Sequence, residues 1–142
     1  MKTFQLREIH FIFLIIALTG GLYLIGDFKR KEYRLIEDNI PEVKSTFFAD
    51  SLKKEPLCFL LFYINDSDIC NEMKNNLENL RLNTGNIKIY KVNVDRYPEL
   101  IDKYNVSGVP SVLIFREGVE NKRIMGIVPY SNLEMIYKRQ IK

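Results

Sequence analysis

The segment Tyr104-Asn105-Val106-Ser107-Gly108-Val109-Pro110-Ser111-Val112-Leu113-Ile114-Phe115-Arg116-Glu117-Gly118 runs from a helix end through a Gly-Val-Pro corner into an apolar strand, then stops at a glycine turn. On its N-terminal side Pro98 opens a short helix over residues 98–104, a place where the missing amide hydrogen of proline costs nothing. On its C-terminal side the turn at Arg116-Glu117-Gly118 lets residues 119–127 return as an antiparallel edge strand. Ser131 then opens a last helix, with Leu133, Ile136 and Tyr137 on one side.

Further upstream, Leu57-Cys58-Phe59-Leu60-Leu61-Phe62-Tyr63-Ile64 is apolar throughout. An unbroken run of this length, halted before by Pro56, predicts a central strand buried on both faces. Asn65-Asp66-Ser67-Asp68 follows and has the composition of a helix start. The helix it opens carries Ile69, Met73, Leu77 and Leu80 as a predicted apolar stripe and ends at Asn83-Thr84-Gly85. Residues 87–94 alternate and are β-branched, which predicts a second strand. Residues 40–43 are a possible short strand, and residues 46–53 carry Phe47, Phe48 and Leu52 at helical spacing. From residue 40 the predicted order is β-α-β-α-β-α-β-β-α. Parallel crossovers closed by a hairpin and helix make a small α/β sandwich.

Composition narrows the function. The net charge of +3 is modest and no basic cluster interleaves with aromatics, so nucleic acid is not an expected partner. Two cysteines, Cys58 and Cys70, are too few for a disulfide framework and match no zinc ligand spacing, so no metal is expected. The single histidine, His10, lies in the N-terminal segment, which removes the commonest general base from the folded domain. No cofactor is implied.

Residues 9–26 contain no charge, and their eighteen residues at about 1.5 Å rise reach roughly 27 Å, just short of a hydrocarbon core of about 30 Å. The run has no polar face to meet water. It is long for a signal-peptide core and no small-x-small cleavage site follows. The expected organisation is a tail over residues 1–8, a single transmembrane anchor over 9–26, a charged stalk over 27–39 and one domain over 40–142. Lys29, Arg30, Lys31 and Arg34 follow the anchor, against Lys2 and Arg7 before it. Taken literally, that bias puts the domain in the cytoplasm.

Over residues 40–142 the chain resembles the thioredoxin family at three joints. The apolar strand ends in Phe62-Tyr63 five residues before a helix start. Lys91-Val92-Asn93-Val94-Asp95 has Pro98 three residues later. The segment 104–118 is similar to the family's helix end, Gly-Val/Ile-Pro corner with a cis proline, strand and glycine turn. The resemblance implies a central mixed sheet flanked by helices. It also implies an extracytoplasmic domain, because N-terminal anchors of small redox-type domains usually carry them outward, against the charge bias.

Laid on this sequence, the family's Cys-x-x-Cys motif falls on Ser67-Asp68-Ile69-Cys70, so the first, attacking cysteine is replaced by Ser67. The tryptophan before the motif is replaced by Asp66, the buried proton-moving acid by Leu61, and its lysine is kept as Lys91. A serine hydroxyl cannot carry out disulfide exchange, whereas it is a good helix N-cap. Asp66 and Asp68 beside Cys70 predict a slow thiol. About six residues at roughly 3.3 Å each place Cys58 some 20 Å from that helix start, far beyond disulfide reach of about 7 Å. Cys58 reads as a core residue, and Lys91 as a solvated one. The family resemblance further implies that the backbone of Val109, before Pro110, pairs with an extended peptide, flanked by Asp66 and Ile69. Two functions stay open, beside a structural subunit that uses the fold as a rigid plug, which the sequence does not separate from the first. One is a membrane-anchored accessory module that binds a protein or extended peptide at Val109-Pro110 without dithiol chemistry. The other is a monothiol oxidoreductase acting through Cys70.

Overall fold

The computed structural model describes residues 3–33, 39–43, 54–85 and 87–142, and within the first helix the side chains of residues 10–26. The chain divides into two compact units, Met1–Glu37 and Asp38–Lys142. In the first, helix α1 runs Thr3–Tyr33. Over residues 10–26 every side is apolar and open: Phe11, Leu14, Leu18, Leu22 and Ile25 are all exposed, and only Gly21 is half-buried. The expected helix forms. The membrane crossing assigned to residues 9–26 does not follow from it, because among the described residues no helix is long and apolar enough to cross a membrane.

The second unit is built on β1 (Leu57–Tyr63), α2 (Asp68–Thr84), β2 (Lys88–Asn93), α3 (Glu99–Tyr104), β3 (Ser111–Arg116), β4 (Val119–Met125) and α4 (Tyr130–Gln140). The sheet order is β2-β1-β3-β4. Strand β1 is parallel to β2 and antiparallel to β3, and β4 closes an antiparallel hairpin with β3. The eight-residue apolar run occupies the centre because β1 has a core on each face. Phe59, Leu61 and Tyr63 pack with Cys70, Met73, Leu77, Leu80 and Leu133 from α2 and α4. Cys58, Leu60 and Phe62 pack on the other face with Leu100, Val106, Leu113 and Phe115. Alternation of side chains along the strand divides the run between the two.

The turn joining β3 to β4 is as short as its sequence predicts. Arg116 pairs with Val119, and the two residues between them, Glu117 and Gly118, have φ of 51° and 80°. That is the left-handed pair a two-residue hairpin requires to match strand twist.

Three expectations change. The stripe on α2 starts at Cys70, not Ile69. Cys70, Met73, Leu77 and Leu80 are fully buried, whereas Ile69 is 49% exposed. At 100° per residue Ile69 and Cys70 flank the same stripe on opposite sides, and the buried arc extends past Cys70 toward Glu78, which leaves Ile69 at the exposed edge. The strand expected over residues 40–43 reduces to one parallel bridge between Glu42 and Lys91, held by Val43 N–H to the Lys91 carbonyl at 2.9 Å and Lys91 N–H to the Pro41 carbonyl at 3.0 Å. Pro41 has no amide hydrogen with which to extend the ladder. Finally, α4 begins at Tyr130 after Pro129, one residue ahead of Ser131. The helix expected over residues 46–53 lies outside the described residues.

Candidate functional site

Because β1, β2 and β4 run in one direction, their C-terminal ends, the start of α2 and the start of β3 lie at one end of the sheet. The chain leaves β1 through Ile64-Asn65-Asp66. Asp66 adopts φ of 54°, a left-handed conformation that aspartate tolerates better than most residues. Ser67 is the N-cap of α2, with extended backbone, and its Oγ accepts from the Cys70 amide at 3.4 Å while its carbonyl accepts from Asn71 N–H at 2.9 Å. Asp68 places a carboxylate in the first turn, where the helix dipole favours it. Cys70 itself is fully buried. Ser67 is half-buried, and Asp66 and Ile69 are exposed.

Across from this loop, the peptide bond between Val109 and Pro110 is cis, as the family resemblance implies. Ser111 pairs with Phe62, so Val109 stands opposite Ile64 beyond the end of β1, and both pack against the two cores at once. Pro110 is buried and its carbonyl accepts from Gly126 N–H at 2.9 Å. Among the described residues no hydrogen bond engages the Val109 backbone. The fold therefore brings Asp66, Ser67, Ile69, Cys70, Val109 and Pro110 to one end of the sheet.

The corner before Val109 has a specific brace. Asn105 caps α3 in the left-handed conformation, and the Arg123 guanidinium of β4 donates to the carbonyls of Tyr104 (2.7 Å) and Asn105. Glu120 holds the same guanidinium at 2.9 Å and 3.0 Å. Carbonyls left unpaired at a helix end are thus satisfied from a neighbouring strand.

Both cysteines are free and buried. They lie in different cores, on opposite faces of β1, so the sheet itself separates them. Burial pushes the Cys58 thiol up to about 12, with the Glu55 carboxylate adding to the effect. Cys58 is the inert core residue its position in the sequence predicts.

Lys91 departs from expectation. It is 9% exposed, with Nζ 5.8 Å from the centroid of the Tyr63 ring. Lys74 Nζ stands 5.0 Å from the same centroid. The Tyr63 hydroxyl donates to Glu42 at 3.2 Å, and Glu42 pairs with Arg96 at 3.2 Å. With Leu61 in place of its acidic counterpart Lys91 is expected in solvent; here the bridge of residues 41–43 covers the edge of β2 and closes over it. In register, Lys91 lies between Glu42 and Leu61, the position the resemblance assigns to the family's buried acid. Glu42 gave no signal in the sequence, because its role depends on that bridge. Asn93, fully buried at the end of β2, accepts from Asp95 N–H at 2.9 Å, and its amide nitrogen has no partner among the described residues. Among the described residues no cluster of three or more metal-ligating side chains occurs.

A family model described as Thioredoxin matches residues 39–139. The thioredoxin of Streptomyces clavuligerus is 32% identical over 88 residues, 62% of this chain and 82% of that protein. The M-type chloroplastic thioredoxin of Spinacia oleracea is 40% identical over 50 residues, 35% of this chain and 28% of that protein. The match thus spans well under a third of the plant relative's length. Among solved structures, a mutant thioredoxin from Halobacterium salinarum superposes with a TM-score of 0.67 at 22% identity, covering 74% of this chain and 93% of that one. The oxidised mitochondrial thioredoxin 3 of Saccharomyces cerevisiae gives 0.63 at 21% identity, covering 70% and 94%.

Proposed function

The chain belongs to the thioredoxin family, and on that premise we propose that it is a membrane-anchored member that binds an extended segment of a partner protein at the Val109-Pro110 corner without dithiol exchange. The observation that carries this reading is the occupant of the motif. Ser67 stands at the helix N-cap, where a nucleophilic sulfur would have to be, and its oxygen accepts from the Cys70 amide. The remaining sulfur is fully buried. Disulfide exchange needs a thiolate that can reach its target, and a serine oxygen supplies none. What remains is a backbone corner at Val109, half-buried and without an internal hydrogen bond among the described residues. An extended peptide could pair there as an added strand.

The anchor is part of the proposal. Its support is the charge-free run over residues 9–26 and the exposure of apolar side chains on all sides of α1. At roughly 27 Å the run is short for a bilayer core, and a short span is accommodated by local thinning or by flanking side chains reaching to the interface. The domain is placed on the extracytoplasmic side, following the habit of N-terminally anchored domains of this kind.

The alternative is monothiol chemistry through Cys70, which the names of the relatives keep in view. One experiment separates the two. The full chain is incubated with glutathione disulfide, and the adduct on Cys70 is followed by mass spectrometry in native buffer and in denaturant. Adduct formation far slower in native buffer than in denaturant, limited by opening of the fold, is the expected outcome. A native adduct formed as fast as the unfolded one would establish Cys70 as an accessible exchange centre and overturn the binding-only reading.

A further inference from the structure

Charge on the domain is segregated along the strand direction. At the end that carries the Val109 corner, Asp66, Asp68, Asp95 and Glu99 are exposed, and Arg96 there is engaged by Glu42. The opposite end is basic. Lys88 pairs with Cys58 and Arg116 with Leu57, so the two flank the first residues of β1 on neighbouring strands. Lys54 precedes β1 by three residues, and Glu117 N–H donates to the Pro56 carbonyl at 3.1 Å, which holds the β3-β4 turn at the same end. Asn121 donates to Gln140 at 2.8 Å, bringing the end of α4, with Arg139 and Lys142, against the start of β4 and Lys122. All six cations are exposed. The carboxylates that oppose them are Glu55 and Glu117, while Glu78, Glu120 and Glu134 are engaged by Arg81, Arg123 and Lys138.

The chain enters the domain at this basic end. The bridge between Glu42 and Lys91 is parallel, so Asn39 and Ile40 lie toward Lys88, the first residue of β2. Only residues 27–38 separate that entry point from the apolar run, and with residues 27–33 belonging to α1 the reach is at most about 30 Å.

We propose that this basic end, formed by Lys54, Lys88, Arg116, Lys122, Arg139 and Lys142, docks on anionic lipid headgroups. The inference rests on the anchor of the reading above and not on which side of the membrane the domain faces, and it goes beyond it by assigning the domain a second contact with the bilayer. The attraction between clustered cations and an anionic leaflet is short-ranged, falling off within a Debye length of about 10 Å. A tether of this length keeps the basic end at high effective concentration near the surface. Docking in this sense also turns the acidic end with Val109 away from the lipid, toward a partner. A lipid surface is favoured over other polyanions because the tether delivers this end, and not the acidic one, to the bilayer.

The test uses the full chain reconstituted into vesicles of phosphatidylcholine alone and of phosphatidylcholine with phosphatidylglycerol. Flotation reports the anchor. Docking is read separately, as the rate at which a membrane-impermeant acylating reagent modifies Lys54, Lys88 and Lys122, each divided by the rate at Lys103 in the same molecule. That ratio cancels the orientation of reconstitution. The expected result is flotation with both vesicles, and ratios about fivefold lower on the anionic ones, restored by 0.5 M salt or by the triple variant K54E/K88E/R116E at Lys122. Flotation with equal ratios on both vesicles would overturn the docking and leave the anchor standing. Failure to float with either would overturn both. Equal protection by a soluble polyanion in detergent, without vesicles, would show general anion binding and overturn lipid as the specific occupant.

Discussion

The oxygen of Ser67 holds the first turn of α2 closed over Cys70, and removing it should loosen that turn selectively. In Ser67→Ala the Cys70 amide loses its acceptor. Loss of an N-cap costs about 0.5–2 kcal/mol. The bond here is 3.4 Å, longer than the usual 2.9–3.0 Å, which puts the expected cost in the lower half, about 0.5–1 kcal/mol. That corresponds to a factor of about 2–5 in the opening equilibrium. For a domain of this size the melting temperature should fall by about 2–6 °C. The assay is native-state alkylation of both thiols, resolved by mass spectrometry. Cys70 lies one turn from a helix end and can be reached by local opening, whereas Cys58 sits in the central strand under the opposite core, and reaching it requires global unfolding. Cys70 should therefore be alkylated faster than Cys58 in the wild type. Ser67→Ala should widen that gap by a further small factor. Equal acceleration of both thiols would mean that Cys70 is exposed only by global unfolding, and no change at either would mean that the cap contributes nothing. Either result refutes the local argument.

Three further outcomes follow from the same geometry. Cys58 is neutral in the fold, with its pKa raised from 9.0 to about 12. A raised folded pKa gives stability that is complete below the unfolded value and lost as pH rises through the folded one, so denaturant midpoints should fall between pH 9 and 12, and Cys58→Ala should flatten that decline. Leu61→Asp and Leu60→Asp both place a carboxylate at a fully buried site, yet only Leu61 has Lys91 as its register partner; a charge-assisted bond worth about 1.5–3 kcal/mol should leave Leu61→Asp the more stable of the two by urea titration, and Lys91→Met should abolish the difference. Arg123→Ala removes the donors to Tyr104 and Asn105; about 1 kcal/mol is expected for this partly exposed clamp, with faster amide hydrogen exchange at Asn105 and Val106 while the amides of β1 stay protected.

Most of the fold is legible in the sequence. The all-apolar run of residues 57–64, the caps at Ser67 and Gly85 and the Glu117-Gly118 turn each have a local physical cause. Local causes leave local signatures, namely side-chain periodicity, a hydroxyl before a helix and a left-handed pair in a tight hairpin. The elements appeared where those signatures lay, to within a residue or two.

What failed had its cause in another part of the chain. Spacing predicts Ile69 inward, but which face of α2 is buried depends on how the helix lies on the sheet, and that rotation brings in Cys70 instead. Lys91 was assigned to solvent, but a segment fifty residues earlier in the chain covers it, and a single bridge with Glu42 has no pattern of its own to detect. The same bridge fixes which end of the sheet residues 39 and 40 lie at. The sequence alone determined the strand and helix elements and that a serine, Ser67, stands three residues before Cys70 at the helix start, because both are written in adjacent residues. The tertiary structure alone decided that Cys70 is sealed, that the two cysteines lie on opposite faces of one sheet, and that Tyr63, Glu42 and Lys91 share a cluster. Each of these is a relation between distant segments, created by packing and absent from any window of the chain.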